Sequence, residues 1–287
     1  MPKLLKKALA DVLPQDYLAS LVSSFDIVGD IAILKLPSSF ANHGKTIAEI
    51  VLQRLHHVKT VLNQEGSIQG EYRLRNLRWL AGEQRMDTIA REAGCLFKVD
   101  LAKVYFSPRL SFEHMRICRL VRQGEVIINM FAGVGSFSIL AAKHSAPSIV
   151  YSIDISPDAT RFMRENVILN KVDGIVQVLE GDAREVVKTK LRSVADRVIM
   201  PLPEKALQYL ETAIIALKPS GGMIHYYDFV HCMKKRNACG DVRNRVEGTL
   251  SRTTKEYSIM FSRVVRSVGP NWYQVVLDIH AVPAYNS

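Results

Sequence analysis

Two glycines and two carboxylates form the clearest chemical pattern in the chain. Gly133 and Gly135 stand in a turn between an apolar run, Val126 to Met130, and a helical pattern that begins at Phe137. A strand–turn–helix junction of this kind removes side chains that would block a ligand. It also aims the unpaired N–H groups of the helix start at that ligand, so an adenosine-bearing cofactor can lie against bare backbone. Asp154 ends the next strand-like run, about 20 residues past the glycines, where an acid accepts the two hydroxyls of a ribose. Asp182 follows a third run and is placed to take the amino group of an adenine. One acid at a strand end is weak evidence, but two at successive strand ends after a Gly-x-Gly turn are much stronger.

The elements that position these residues repeat one unit. Strands are predicted over Ser148 to Ile153, Ile175 to Leu179, Asp196 to Met200 and Met223 to Tyr227, with helices from Pro157 through Asn170 and over Glu204 to Leu217. Alternation of this kind predicts an α/β domain with a mostly parallel sheet. The tail, Tyr257 to Arg266 and Trp272 to Val282 around Gly269-Pro270, predicts a closing antiparallel hairpin. Ligands in open α/β sheets sit beyond the carboxyl ends of the strands, so the turn Pro201-Leu202-Pro203 is expected to line the pocket. Its two prolines make it rigid and nearly free of donors.

Upstream, the chain has a different character. Residues 1 to about 20 read as a short basic helix, Phe25 to Leu36 as a hairpin turning at Gly29-Asp30, Thr46 to His57 as a helix and Val58 to Leu62 as a strand. His56 and His57, at that helix end, are expected to be exposed or capping. From Gly70 to Leu80 the pattern predicts a strand with Arg73 and Arg75 on one face, near Tyr72 and Trp79. That grouping suits phosphate contact and base stacking, and it suits the polar outer face of an edge strand equally well. Cys95 to Phe106 reads as one long strand stopped by Pro108. Arg109 and Glu113, four apart, would form an ion pair if both are helical. The boundary is placed so that residues 1–110 form an α+β RNA-binding module and residues 111–287 the cofactor domain.

Composition narrows the partner. Lys and Arg number 38 against 28 Asp and Glu in 287 residues, a net charge of +10 that favours a polyanion, nucleic acid foremost. Charge scattered over a solvated surface would give the same total. No run approaches the roughly 18 apolar residues of a membrane span, and the start lacks a secretory signal, so a cytoplasmic protein is expected. Cys95, Cys118, Cys232 and Cys239 have no metal-binding spacing, and no metal is expected.

A nicotinamide fingerprint requires a third glycine where Ser138 stands, whereas S-adenosylmethionine needs ribose and adenine contacts but no pyrophosphate cradle. The stretches Tyr105-Phe-Ser-Pro-Arg-Leu, Asn129-Met-Phe-Ala-Gly-Val-Gly-Ser-Phe-Ser, Ile153-Asp154, Asp182-Ala-Arg-Glu, Asp196-Arg-Val-Ile-Met-Pro-Leu-Pro and Ile224-His-Tyr-Tyr, in this order, resemble the archaeal and eukaryotic tRNA (guanine-N1)-methyltransferases. That resemblance covers roughly residues 15 to 282 and implies a class I S-adenosylmethionine-dependent methyltransferase, Rossmann-like, behind a small α+β domain. It further implies methylation of the guanosine just 3′ of the anticodon, tRNA position 37, by a protein that binds the anticodon loop and acts as a monomer.

By the same resemblance Phe131, Gly133, Asp154, Asp182 and Ala183 hold the cofactor, with Tyr105 and His114 beside it. Arg73 contacts O6 of the target base, Glu113 takes the N1 proton, and Pro201 lies at the catalytic turn. Arg75, Arg109 and Pro203 are expected to face the RNA. Three departures accompany the likeness. His114 replaces the usual arginine, Pro201 replaces the asparagine of the usual Asn-Leu-Pro turn, and the extra N-terminal domain many members carry is not expected here. A Pro-Leu-Pro turn marks an archaeal branch, some members of which also methylate C7 of a tricyclic wybutosine precursor. The alternative within the same fold is transfer of the aminocarboxypropyl group of the cofactor to that precursor.

Overall fold

The computed structural model describes residues 25–66, 70 and 72–284, so the expected helix over residues 1 to about 20 lies outside the described residues. The chain divides into two compact units, Met1–Ser111 and Phe112–Ser287. Among the described residues no helix is long and apolar enough to cross a membrane.

The first unit contains a four-stranded sheet, in the order β1 (Asp26–Val28), β2 (Ile31–Leu34), β3 (Thr60–Gln64) and β4 (Leu77–Gly82). Strands β1 and β2 form the expected hairpin. Gly29 turns it with φ +57°, and a Cβ there would lie 2.2 Å from Thr88 Oγ1, so only glycine fits. The parallel pair β2–β3 is joined through helix α1 (Gly44–Arg54), whose Ile47, Ala48 and Val51 pack into the core of the unit. His56 and His57, past its end, are exposed as expected.

A separate antiparallel pair follows, β5 (Asp87–Glu92) and β6 (Cys95–Asp100). The sequence reading missed β5 because its inward positions are Thr88, Ala90 and Glu92 while Ile89 faces out, the reverse of the usual alternation. The long strand expected from Cys95 to Phe106 stops at Asp100. The Asp100 carboxylate accepts the Ala102 N–H at 3.0 Å and its carbonyl accepts from Val104, which turns the chain.

The strand expected from Gly70 is also corrected. Arg73 has φ +56° in a turn, and β4 begins only at Leu77. Arg75 is therefore not on an open strand face. Its side chain is buried, donating to the Phe106 carbonyl at 3.0 Å and pairing with Asp26 at 3.4 Å, so it braces the unit, at odds with its expected place facing RNA. Asp26 also takes Arg109 Nε at 2.6 Å.

The second unit opens with helix α2 (Ser111–Leu120), whose first residue closes the first unit. Its seven-stranded sheet then alternates with helices: β7 (Val126–Met130), α3 (Ser136–His144), β8 (Ile149–Asp154), α4 (Pro157–Leu169), β9 (Val176–Glu180), α5 (Ala183–Lys190), β10 (Arg197–Met200), α6 (Ala206–Ala216), β11 (Gly222–His231), α7 (Ala238–Thr253), β12 (Thr254–Gly269) and β13 (Trp272–Pro283). The spatial order is β12-β13-β11-β10-β7-β8-β9. Strands β11 to β9 run parallel, and β13 and β12 add the predicted antiparallel hairpin. Helix α7 escaped the sequence reading. Its core face is Ala238, Val242, Val246 and Leu250 at four-residue spacing, thinly apolar among charged neighbours.

The strand order reverses between β7 and β10. At such a point the loops leaving two adjacent strands diverge to opposite faces of the sheet and leave a crevice at its carboxyl edge. The loops at this crevice begin at Phe131 and Pro201.

Asp26→Ala strands the buried Arg75 guanidinium, and a buried charge robbed of its partner costs roughly 3 kcal/mol. Urea unfolding of the first unit is expected to show that loss, with the fold of the second unit retained by near-UV circular dichroism.

Candidate active site

The loop from β7 to α3 holds three left-handed residues, Phe131 (φ +61°), Gly133 (φ +58°) and Gly135 (φ +91°). The two glycines serve different ends. A Cβ at Gly135 would meet Met163 Cγ at 3.0 Å and Ile139 Cδ1 at 3.1 Å, so this glycine lets the loop close on α4. A Cβ at Gly133 would meet no atom within 4 Å, so this one keeps a hollow open. Phe131 adopts a backbone conformation that costs a non-glycine residue roughly 1–2 kcal/mol. Its ring is held edge-on against Tyr209 at 4.9 Å, and the next N–H, that of Ala132, donates to the Ile153 carbonyl at 2.8 Å.

Asp154 is the last residue of β8, and Asp182 follows the end of the neighbouring strand β9. The Asp154 carboxylate accepts the Gly133 N–H at 2.7 Å and the Ser156 N–H at 2.9 Å, fixing the glycine loop to the end of β8. Burial pushes its carboxyl above the ordinary value, while those backbone donors pull the other way. Asp182 caps α5 through the Arg184 N–H at 2.7 Å and accepts the Tyr209 hydroxyl at 2.6 Å. Burial opposes its charge, but the Tyr209 and Arg184 bonds prevail and hold its carboxyl below the ordinary value. Ala183 opens α5 with its methyl in the core. Pro201 is half-buried at the end of β10. Pro203 is buried, at odds with its expected place facing RNA.

Glu113, in the first turn of α2, is enclosed, with 1 % of its side chain exposed. Oε1 accepts from Arg116 Nε at 3.0 Å, Arg116 Nη2 at 2.8 Å and the Tyr227 hydroxyl at 2.7 Å, and Oε2 accepts from Arg263 at 2.5 Å. Arg109, expected to pair with Glu113, pairs with Asp26 inside the first unit at 2.6 Å. His114, the next residue, is buried with its ring edge-on to Phe137 at 4.4 Å, and Phe137 lies 6.0 Å from the Tyr227 ring. The Glu113 socket and the glycine hollow are thus both anchored to the start of α3. In the first unit, the Arg73 guanidinium lies 4.6 Å above the ring of Tyr105.

Behind Glu113 a buried chain of charge continues. Arg116 donates to Asp278 at 2.6 and 3.1 Å, Asp278 meets His225 Nδ1 at 2.6 Å, and His225 Nε2 meets Arg197 at 2.6 Å. Arg197 pairs bidentately with Glu125 and donates to the Leu120 carbonyl at 2.7 Å, the last residue of α2. An arginine can only donate, so Nε2 accepts and the proton of a neutral His225 sits on Nδ1. Burial, which pushes the ring below its ordinary value, agrees with that neutral form. Sequence reasoning missed Arg116, Tyr227, Arg263, Asp278 and Tyr209. Arg116 carried a signal, three residues past Glu113, and Tyr227 closes the stretch Ile224-His-Tyr-Tyr; the others arrive from strands and a helix that only the sheet order brings near.

Burial alone would raise the Asp278 carboxyl, but its bonds to His225 and Arg116 bring it down to about 2. A depressed carboxyl contributes stability that is complete above its unfolded value of 3.8 and lost as pH falls through about 2. Asp278→Asn is therefore expected to be roughly 2 kcal/mol less stable than the native chain at neutral pH. Denaturant midpoints measured from pH 7 down to pH 2 should show the difference shrinking below about pH 4.

Comparison with known proteins gives this arrangement its kinship. Residues 88–260 match the TRM5/TYW2 methyltransferase domain, and residues 5–85 match the TYW2 N-terminal domain. Trm5b of Pyrococcus abyssi, a tRNA (guanine(37)-N(1))-methyltransferase, is 40% identical over 92% of this chain and 77% of its own. Taw21 of Saccharolobus solfataricus, a tRNA 4-demethylwyosine(37)-methyltransferase, is 40% identical over 89% of this chain and 93% of its own. An aminocarboxypropyltransferase of Methanocaldococcus jannaschii that acts on 4-demethylwyosine(37) of tRNA(Phe) is 37% identical over 71% of this chain and 77% of its own. Among solved structures, a Trm5 bound to tRNALeu superimposes with a TM-score of 0.82 at 33% identity, covering 96% of this chain and 77% of that one. TYW2 of M. jannaschii bound to AdoMet gives 0.67 at 27% identity, covering 91% and 100%. By the family match and by these relatives, the chain belongs to the TRM5/TYW2 methyltransferase family.

Proposed function

We propose that this protein transfers the methyl group of S-adenosylmethionine to N1 of the guanosine at tRNA position 37. The observation that carries the reading is that the second unit joins a hollow left open at Gly133 and a buried carboxylate at Glu113 to the same helix start. When bound, the cofactor supplies an electrophilic sulfonium methyl. Asp154 then presents its carboxylate to the ribose, Phe131 and Asp182 frame the adenine, and His114 contributes from the wall that Phe137 shares.

N1 of guanine carries a proton held about as tightly as that of a phenol, so its attack requires a base at N1 and a cation near O6. Glu113 takes that proton as the N1–carbon bond forms and the carbon–sulfur bond breaks. Arg73 supplies the positive charge for O6. Its guanidinium is already stacked on the Tyr105 ring, which limits the freedom lost on binding. Arg109, half-exposed and paired with Asp26, contacts the RNA backbone, and the surplus of +10 favours the encounter with the anticodon loop.

A second substrate has its own support. Pro201 stands where a guanine-reading amide would be, and Taw21 matches over nearly its whole length. We infer that C7 of the tricyclic wybutosine precursor at the same position is also methylated, the donor-free turn accepting a wider base. The test is transfer of labelled methyl to tRNA bearing guanosine at position 37 and to tRNA bearing the tricyclic base, with mass spectrometry of the nucleosides. No gain on plain tRNA sinks the leading reading, and an aminocarboxypropyl gain on the tricyclic base replaces the second.

Two variants separate the parts. Gly133→Val is expected to keep the fold at a cost of roughly 2 kcal/mol for its left-handed backbone, yet to lose cofactor binding by at least tenfold in calorimetry with S-adenosylhomocysteine. Glu113→Gln is expected to keep tRNA affinity within a few-fold and to lose at least a hundredfold in single-turnover methyl transfer, the scale of a missing general base.

A further inference from the structure

We propose that Arg263 masks Glu113 in the free protein and is drawn off by an anionic oxygen of the bound RNA, so that Glu113 Oε2 is released to the target base only in the loaded enzyme. The inference rests on the reading of Glu113 as the base. Its evidence is an asymmetry between the two oxygens. Oε1 is bound by Arg116 and Tyr227, and Arg116 is locked in turn by two bonds to Asp278. Oε2 accepts from a guanidinium of another kind. Arg263 lies on β12, the strand at the edge of the sheet, and its side chain is 29% exposed. It leans on Phe112, whose ring is 64% exposed, at 4.8 Å. Its Nε is buried with no hydrogen-bond partner among the described residues, a donor this placement leaves unspent.

Charge explains why its departure matters. Glu113, Asp278, Arg116 and Arg263 form a quartet of balanced charge, with neutral His225 behind and the Tyr227 phenol, held protonated by burial, in front. Withdrawing Arg263 leaves one uncompensated negative charge in a buried site, which a protein relieves by taking up a proton. That proton is the one N1 of the base must lose. An RNA phosphate offers the guanidinium a bidentate partner in exchange, which would also engage the spare Nε.

The test is the pH dependence of methyl transfer to tRNA by Arg263→Ala and by Arg263→Gln, which keeps the volume and serves if the alanine variant fails to fold. The profile of kcat/KM reports the free enzyme and that of kcat the loaded one. In both variants the acid limb of kcat/KM is expected to move up by about one pH unit, the acid limb of kcat to stay in place, and KM for tRNA to rise several-fold. Equal movement of both limbs would mean that Arg263 remains on Glu113 through turnover, and an unmoved pair that it never governed the base. Either result overturns the mask and leaves the base reading standing, provided Glu113→Gln is inactive. Full activity of Glu113→Gln overturns both.

Discussion

Helix α2 is pinned to the sheet of the second unit by charge at both of its ends. Glu113 in its first turn is gripped by Arg116, Tyr227 and Arg263, and the carbonyl of Leu120, where it ends, is capped by Arg197. Between those points the Arg116–Asp278–His225–Arg197 chain runs through the interior from β13 to β11 to β10. Buried ion pairs contribute little net stability against an apolar core of the same volume. What they impose is geometry, because each member has one arrangement that satisfies its neighbours. The orientation of the Glu113 carboxylate follows from that arrangement.

The architecture of the second unit was legible in the sequence wherever the sheet is parallel and buried. Strands β7 and β10 are almost uninterrupted apolar runs because both of their faces are covered, and the glycines and acids at the strand ends mark the loops. Legibility failed where burial and polarity part company. Strand β5 turns a glutamate and a threonine inward, α7 has only a narrow apolar stripe, and Arg75 hides a charge that its sequence neighbourhood advertises as surface. Thr88 is met by Asp30 at 2.7 Å and Arg75 by Asp26, partners distant along the chain. Arg75 reads as an RNA contact until Asp26 is seen beside it.

At the site the difference is one of kind. The residues that line the crevice occupy loops fixed by local turn chemistry, so Gly133, Asp154 and Asp182 could be placed from spacing. The residues that orient Glu113 come from α2, β11, β12 and β13, and their convergence is a property of strand order. A left-handed phenylalanine and an open glycine two residues apart show the same division: the type of residue at position 133 announces its freedom, while nothing in the sequence announces that Phe131 shares it.

Tyr209 belongs to neither of the loops it touches. From helix α6 it meets the edge of the Phe131 ring on one side and the Asp182 carboxylate on the other, with the Arg184 guanidinium over its face at 4.6 Å. The helix therefore works as a caliper whose jaws are two loops from different strands. Repacking beneath α6 shifts both loops with every other side chain at the crevice unchanged, so the spacing between them is tunable from the interior of the protein, out of sight of any inventory of the residues at the rim.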